Sequence, residues 1–188
     1  MVTLMSQLTT LSEEEEHAIV DCFRIKTFGK GTYLLRQEQI AKDSYYVIKG
    51  CVREFRLTDG EEKTTAFYTE EQSVVNFDSL NNQKPSAISF ICAEESTLAI
   101  LNSEKEKALY KRFPRFEAFC REGVEQMMGA KQEQLTEFIT LKPEQRYQKL
   151  QEERPDLINR VAQYQIASFL GIKPETLSRI RARITENK

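Results

Sequence analysis

Glu175, Arg179 and Arg183 stand four residues apart. On a helix, residues at i, i+4 and i+8 fall on one stripe. An arginine fork can donate twice to the O6 and N7 edge of guanine, and a glutamate can accept from cytosine N4. These three residues are therefore the expected base-contacting set of a helix lying in a major groove. Lys173, Thr176, Ser178 and Arg181 flank the stripe and are suited to holding phosphates. Arg181 is rotated about 200° from Arg179 and should reach the groove wall at best. A surface helix with i,i+4 Glu–Arg pairing would carry the same stripe, so the decision rests on what lies upstream.

Upstream, residues 161–184 read as helix, tight turn, helix. Ile166, Ala167 and Leu170 form an apolar edge on the first helix, and small Ala167 allows a close crossing. Gly171 can adopt the left-handed conformation that reverses the chain. Pro174 suits the first turn of the second helix. Leu177, Ile180 and Ile184 face inward. The short turn, the inward apolar set and the basic outer stripe agree with one another.

The rest of the chain falls into three textures. Residues 12–25 read as a helix: Ser12 and Glu15 fit a capping box, and Ala18, Ile19, Cys22 and Phe23 share a stripe. Residues 26–101 hold short β-branched and aromatic runs at 33–35, 45–48, 51–57, 64–68, 88–92 and 97–101, punctuated by Gly29-Lys30-Gly31, Lys49-Gly50 and Asp59-Gly60. Such closely spaced strands predict a jelly-roll-like β-roll. Residues 114–141 return to helical spacing. Phe116, Cys120, Val124, Met127 and Leu135 are the expected dimer interface, with Phe138 near the same face and Phe119, Met128 and Ile139 widening it. A further helix starts at Pro143 and ends at Pro155, and two short helices follow. The expected fold class is α+β, with a β-roll domain over 1–113, a dimerisation helix over 114–141 and a helix-turn-helix domain over 142–188.

Composition bounds the function classes. Residues 160–188 carry +4 within a chain of net charge −2, leaving −6 on the remainder; a basic end on an acidic body suits a nucleic-acid partner. Cys22, Cys51, Cys92 and Cys120 are too widely spaced for a zinc site and read as reduced, mostly buried thiols. His17 is the sole histidine and reads as a surface residue. No metal or cofactor is expected. No nucleophile–base pair, paired carboxylates or glycine-rich phosphate loop supports catalysis, so no catalytic residue is assigned. The apolar runs are too short to span a membrane and no signal peptide is visible, which predicts a cytoplasmic protein.

The segment Ile166-Ala167-x-x-Leu170-Gly171-Ile172-x-x-Glu175-Thr176-Leu177-Ser178-Arg179 resembles the helix-turn-helix of the Crp/Fnr superfamily of bacterial regulators. Residues 28–36 and 45–53 resemble the cyclic-nucleotide-binding β-roll of the same superfamily, and the 114–141 helix lies where those proteins dimerise. The resemblance implies a homodimeric transcription regulator of double-stranded DNA, with RNA polymerase as a further partner. Glu175 and Arg179 match the family's base-contacting pair. Pro174 stands where some members carry a base-contacting arginine, and a chain reaching Lys188 implies a domain without a full wing. Cyclic-nucleotide-binding members use a Gly-Glu pair and a later arginine, whereas the matching stretch here carries neither and places Ser86 at the arginine position. Val75, Asn76, Ser86 and Ala87 are thus the expected lining of a pocket that does not take cAMP. The effector is an unknown small molecule, or the roll is a scaffold without one. The alternative is a ligand-binding or protein-interaction module of the same fold that no longer reads DNA.

Overall fold

The structure is a computed structural model, and it describes residues 10–186. The ends of the expected outer domains, 1–9 and 187–188, lie outside the described residues. So does Lys188 of the basic end.

Helix α1 spans Glu13–Asp21. Ser12 accepts from the Glu15 amide while the Glu15 carboxylate accepts from the Ser12 amide at 2.9 Å, completing the expected capping box. The helix stops four residues earlier than the apolar stripe predicts. Phe23–Phe28 instead forms strand β1, which pairs antiparallel with the distant strand β8 (Ser96–Leu101). Ladder pairing across 68 to 78 residues overrides the local helical period there.

The remaining strands are β2 (Tyr33–Leu35), β3 (Ser44–Lys49), β4 (Val52–Thr58), β5 (Glu61–Tyr68), β6 (Ser73–Val74) and β7 (Ser89–Cys92). They form two antiparallel sheets, ordered β1-β8-β3-β6 and β2-β7-β4-β5. Leu35, Tyr45, Val47, Val52, Tyr68, Phe90 and Leu98 pack between them as the roll's core. Gly50 is required at its turn: its φ is +109°, and a Cβ would lie 2.4 Å from the Ser96 hydroxyl oxygen. A short helix, α2 (Phe77–Asn82), interrupts the strands and is capped by Asn76.

Helix α3 (Ser103–Arg112), which sequence periodicity does not reveal, leads into the long helix α4 (Arg115–Thr140). Phe116 at the start of α4 is fully buried against Ile19, Cys22 and Leu109, and Cys120 packs at the edge of that cluster. Of the residues expected at a dimer interface, Phe116 is taken up within its own chain, where α1 and α3 cover it. Farther along, Val124 is half-buried, while Met128, Leu135 and Ile139 are 66%, 60% and 73% exposed. These four fall within about 60° of arc on the helix. Met127 is half-buried beside them, and Lys131 lies 5.3 Å from the Tyr68 ring of the roll.

Helices α5 (Pro143–Glu153), α6 (Leu157–Arg160), α7 (Gln163–Phe169) and α8 (Pro174–Glu186) complete the described chain. One more helix is present than expected after Pro155, the single turn α6. Tyr147, Leu150, Leu157, Ile166, Ala167, Leu177 and Ile180 form a core that also takes in Cys51, Phe67 and Ala93 from the roll. No helix among the described residues is long and apolar enough to cross a membrane.

Candidate nucleic-acid interface

Helix α7 ends in a tight reversal. The Ile172 amide donates to the Ala167 carbonyl and the Gly171 amide to the Ser168 carbonyl, both at 3.0 Å, with Gly171 at φ +68°. That pair of bonds is the Schellman arrangement, which needs a left-handed residue at Gly171. The chain then enters α8 at Pro174, as expected. Leu177 and Ile180 are buried, and Ile184 is half-buried. Their burial fixes the rotation of α8 about its axis.

With that rotation, Glu175, Ser178 and Arg179 are exposed on the opposite face, and Lys173 is exposed at the helix start. Thr176 is half-buried. Arg183 continues the stripe but pairs with Glu144 of α5 at 3.6 Å. It therefore sits at the margin of the exposed face, partly committed to its own chain. Arg181 points to another side, at the rim of a cavity of about 320 Å³ shared with Tyr147, Gln151, Ile158 and Ile184. Lys173 lies close enough to the β4–β5 hairpin to add to the lowering of the Glu61 carboxyl, which its hydrogen bond to Lys63 chiefly causes.

The roll and the C-terminal helices are joined by polar contacts that sequence reading did not find. The Ser168 hydroxyl accepts from the Thr64 amide at 2.9 Å and donates to the Glu62 carbonyl at 3.1 Å. Phe169 meets Phe67 edge-on, with ring centroids 5.5 Å apart. Arg154 donates to the Phe67 carbonyl at 3.0 Å. Arg160 pairs with Glu70, Glu94 and Asp156. The Arg160 guanidinium and the Gly50 amide hold the Glu70 carboxyl down at about 2, against the smaller opposing effect of burial. Apart from Asp156, one turn from Arg160, each partner lies tens of residues away in sequence, and an isolated arginine or serine on a helix carries no local mark of such a contact.

The expected ligand lining is brought together but used internally. Asn76 donates to the Ser86 hydroxyl at 2.8 Å, and that hydroxyl donates to the Ile88 carbonyl at 2.7 Å. The Ser86 amide and carbonyl bond Gln39 and Glu38. Ser86 is buried, Val75 half-buried and Ala87 exposed. Among the described residues no group of His, Cys, Asp and Glu could hold a metal. Cys22, Cys51 and Cys92 are buried and Cys120 half-buried, all as free thiols. His17 is exposed.

Residues 25–113 match the family model of the cyclic nucleotide-binding domain. The fold is that of the Crp/Fnr regulators. The chain is similar to the c-di-GMP responsive global regulator CLP of Xanthomonas campestris, at 14% identity and a TM-score of 0.73, covering 94% of this chain and 93% of that one. It is also similar to FixK2 of Bradyrhizobium japonicum, at 13% identity and a TM-score of 0.75, covering 88% and 85%. The catabolite activator protein of Thermus thermophilus matches at 22% identity and a TM-score of 0.54, covering 94% and 85%. No curated protein matches the chain by sequence. The resemblance drawn from the helix-turn-helix and roll segments therefore holds for the fold as a whole.

Proposed function

We propose that the chain is a homodimeric, sequence-specific DNA-binding transcription regulator acting in the cytoplasm. Residues 1–113 act as the sensor or scaffold domain, 114–141 as the dimerisation helix and 142–188 as the DNA-reading domain. The observation that carries this reading is the division of α8 into two faces. Leu177 and Ile180 anchor one, and the other leaves Glu175, Ser178 and Arg179 exposed behind an exposed Lys173. Arg179 and Glu175 supply base-edge donors and acceptors, and Lys173 holds phosphate. Arg183 is a base contact once its pair with Glu144 opens. Thr176 and Arg181 are backbone contacts of lesser weight, since one is half-buried and the other turned toward α5. The stripe Val124, Met128, Leu135 and Ile139 supports dimerisation through α4.

The Asn76–Ser86 bond and the packed roll support a sensor that does not take cAMP. Selection of bound sequences from random duplex DNA, with purified protein and no added ligand, tests the reading. The expected product is a two-fold symmetric motif with half-sites roughly 10 base pairs apart, or a multiple of that. Recovery of no enriched sequence would sink it in favour of a module that does not read DNA.

A further inference from the structure

One side chain reaches both sides of the joint between α4 and the helix-turn-helix, beside the Lys149–Glu137 ion pair that ties α5 to α4. Arg146, in α5, donates from Nη1 to the carbonyls of Phe138 at 2.9 Å and Leu141 at 2.7 Å. From Nη2 it donates to the carbonyl of Leu170 at 2.8 Å. The first two acceptors belong to the end of α4, and the third belongs to the end of α7. Helix ends leave such carbonyls without intrahelical partners, and one planar guanidinium satisfies them on both sides of the joint.

The ring of Phe138 completes the contact. The Arg146 guanidinium lies 4.6 Å from its centroid. The same ring fills the space over Gly171, where a Cβ would come within 2.8 Å of Cζ. Gly171 thus has two reasons to be glycine: its positive φ and the ring above it. The Arg146 Nε is buried without a hydrogen-bond partner. A guanidinium that spends its bonds on carbonyls and leaves one donor bare is placed for geometry rather than for neutralising a carboxylate.

We propose that Arg146 is the positioning residue that sets the angle between α4 and α8, and through it the half-site spacing that the dimer accepts. The proposal rests on the dimeric DNA-reading function above. Inserting one base pair between half-sites moves the second by about 3.4 Å along the axis and rotates it by about 34°. A joint fixed on both sides by hydrogen bonds resists that displacement, whereas a loose joint bends to follow it. Lysine can keep the charge but not the fork.

The test uses full-length protein and duplexes carrying two copies of the selected half-site, with the spacer lengthened or shortened by one or two base pairs. Wild-type protein should prefer one spacer over its neighbours by about tenfold or more, the range of a single misplaced contact. In Arg146→Ala and Arg146→Lys that preference should fall to within about threefold, while base preference inside each half-site persists. Spacing preference retained in both variants overturns the proposal. So does loss of half-site base preference together with spacing, which would make Arg146 merely a support of the helical core. If the wild type selects no DNA, the regulatory reading fails and the joint is still measured. Nitroxide labels at Glu133→Cys and Ser178→Cys, in a Cys120→Ser background diluted with unlabelled chain, report the α4–α8 distance. A narrow distribution that broadens in Arg146→Ala supports the positioning role, and equal widths overturn it.

Discussion

Arg160 grips Glu70 in a two-point clasp, with Nη1 and Nη2 each 2.8 Å from a different carboxylate oxygen. The clasp joins the end of α6 to the segment following β5, so it ties the C-terminal helices to the roll. The Glu70 carboxyl is also held by the Gly50 amide at 2.8 Å. This turns one joint between the two halves of the chain into a titratable contact.

The acid response follows from the sign of that shift. The Glu70 carboxyl stands at about 2, below its ordinary 4.5, so it binds its proton less readily in the folded chain than in the unfolded one. Its stabilisation is complete above about pH 4.5 and is lost as the pH falls through about 2. Glu70 is 40% exposed, so solvent screening leaves a contribution on the order of 1 kcal/mol. Glu70→Gln should lower stability at pH 7 and flatten the stability profile between pH 5 and 2. Denaturant titrations at each pH measure this, and parallel profiles for wild type and variant would refute it.

Cys51 reports on the same junction. Its thiol lies in the core shared by the roll and the C-terminal helices, and burial pushes it up to about 12. Thiolate is the reactive form, so Cys51 should resist alkylation at pH 8 in the native chain. Arg160→Ala should raise its labelling rate by loosening the docked helices. Peptide mapping after timed alkylation decides, and rapid labelling of Cys51 in the wild type would show that the junction is open in solution.

Arg179 and Lys173 should fail differently. Arg179→Ala removes a base-edge fork and should cost about 1–3 kcal/mol, chiefly on the preferred site, flattening preference at one position of each half-site. Lys173→Ala should weaken all duplexes about equally and reduce the salt slope. Binding isotherms on specific and scrambled duplexes at several salt concentrations separate the two. A uniform loss for Arg179→Ala would mean that this face of α8 does not read bases.

The seam on α4 can be tested without disturbing the chain's own core, because Met128 and Leu135 are exposed in it. Met128→Asp and Leu135→Asp should yield folded monomers with weakened DNA binding. Sedimentation reads the mass and circular dichroism the fold; dimers persisting in both variants would place the interface elsewhere.

Cyclic AMP should leave the melting temperature unchanged. A micromolar site at about 1 mM ligand would add roughly 4 kcal/mol by mass action. A clear upward shift in a thermal melt would show that the Asn76–Ser86 bond yields to a nucleotide.

What sequence made legible was what local physics determines. The Schellman turn at Gly171, Pro174 at the start of α8 and the inward Leu177 and Ile180 all act within a few residues, and all are found as expected. Six of the strands were marked by β-branched and aromatic runs. Strand β1 was hidden because Cys22 and Phe23 extend the α1 stripe, and only the distant β8 draws the chain straight. Helix α3 was hidden because its ten residues bury Leu109 alone. The polar joints at Arg146, Arg160 and Ser168 were hidden because each depends on at least one partner that the sequence separates and the fold brings together.

The hydroxyl of Ser168 occupies a place that a neighbouring strand would otherwise take. Strand β5 lies at the border of its sheet, and Ser168 satisfies the outward amide of Thr64 and the outward carbonyl of Glu62. A bare sheet border is a template for pairing with another chain. Swinging α7 away would therefore uncover a sticky edge as well as free the helices. Any change of state in this protein must keep that edge covered, or supply something else to cover it, to avoid association through the roll.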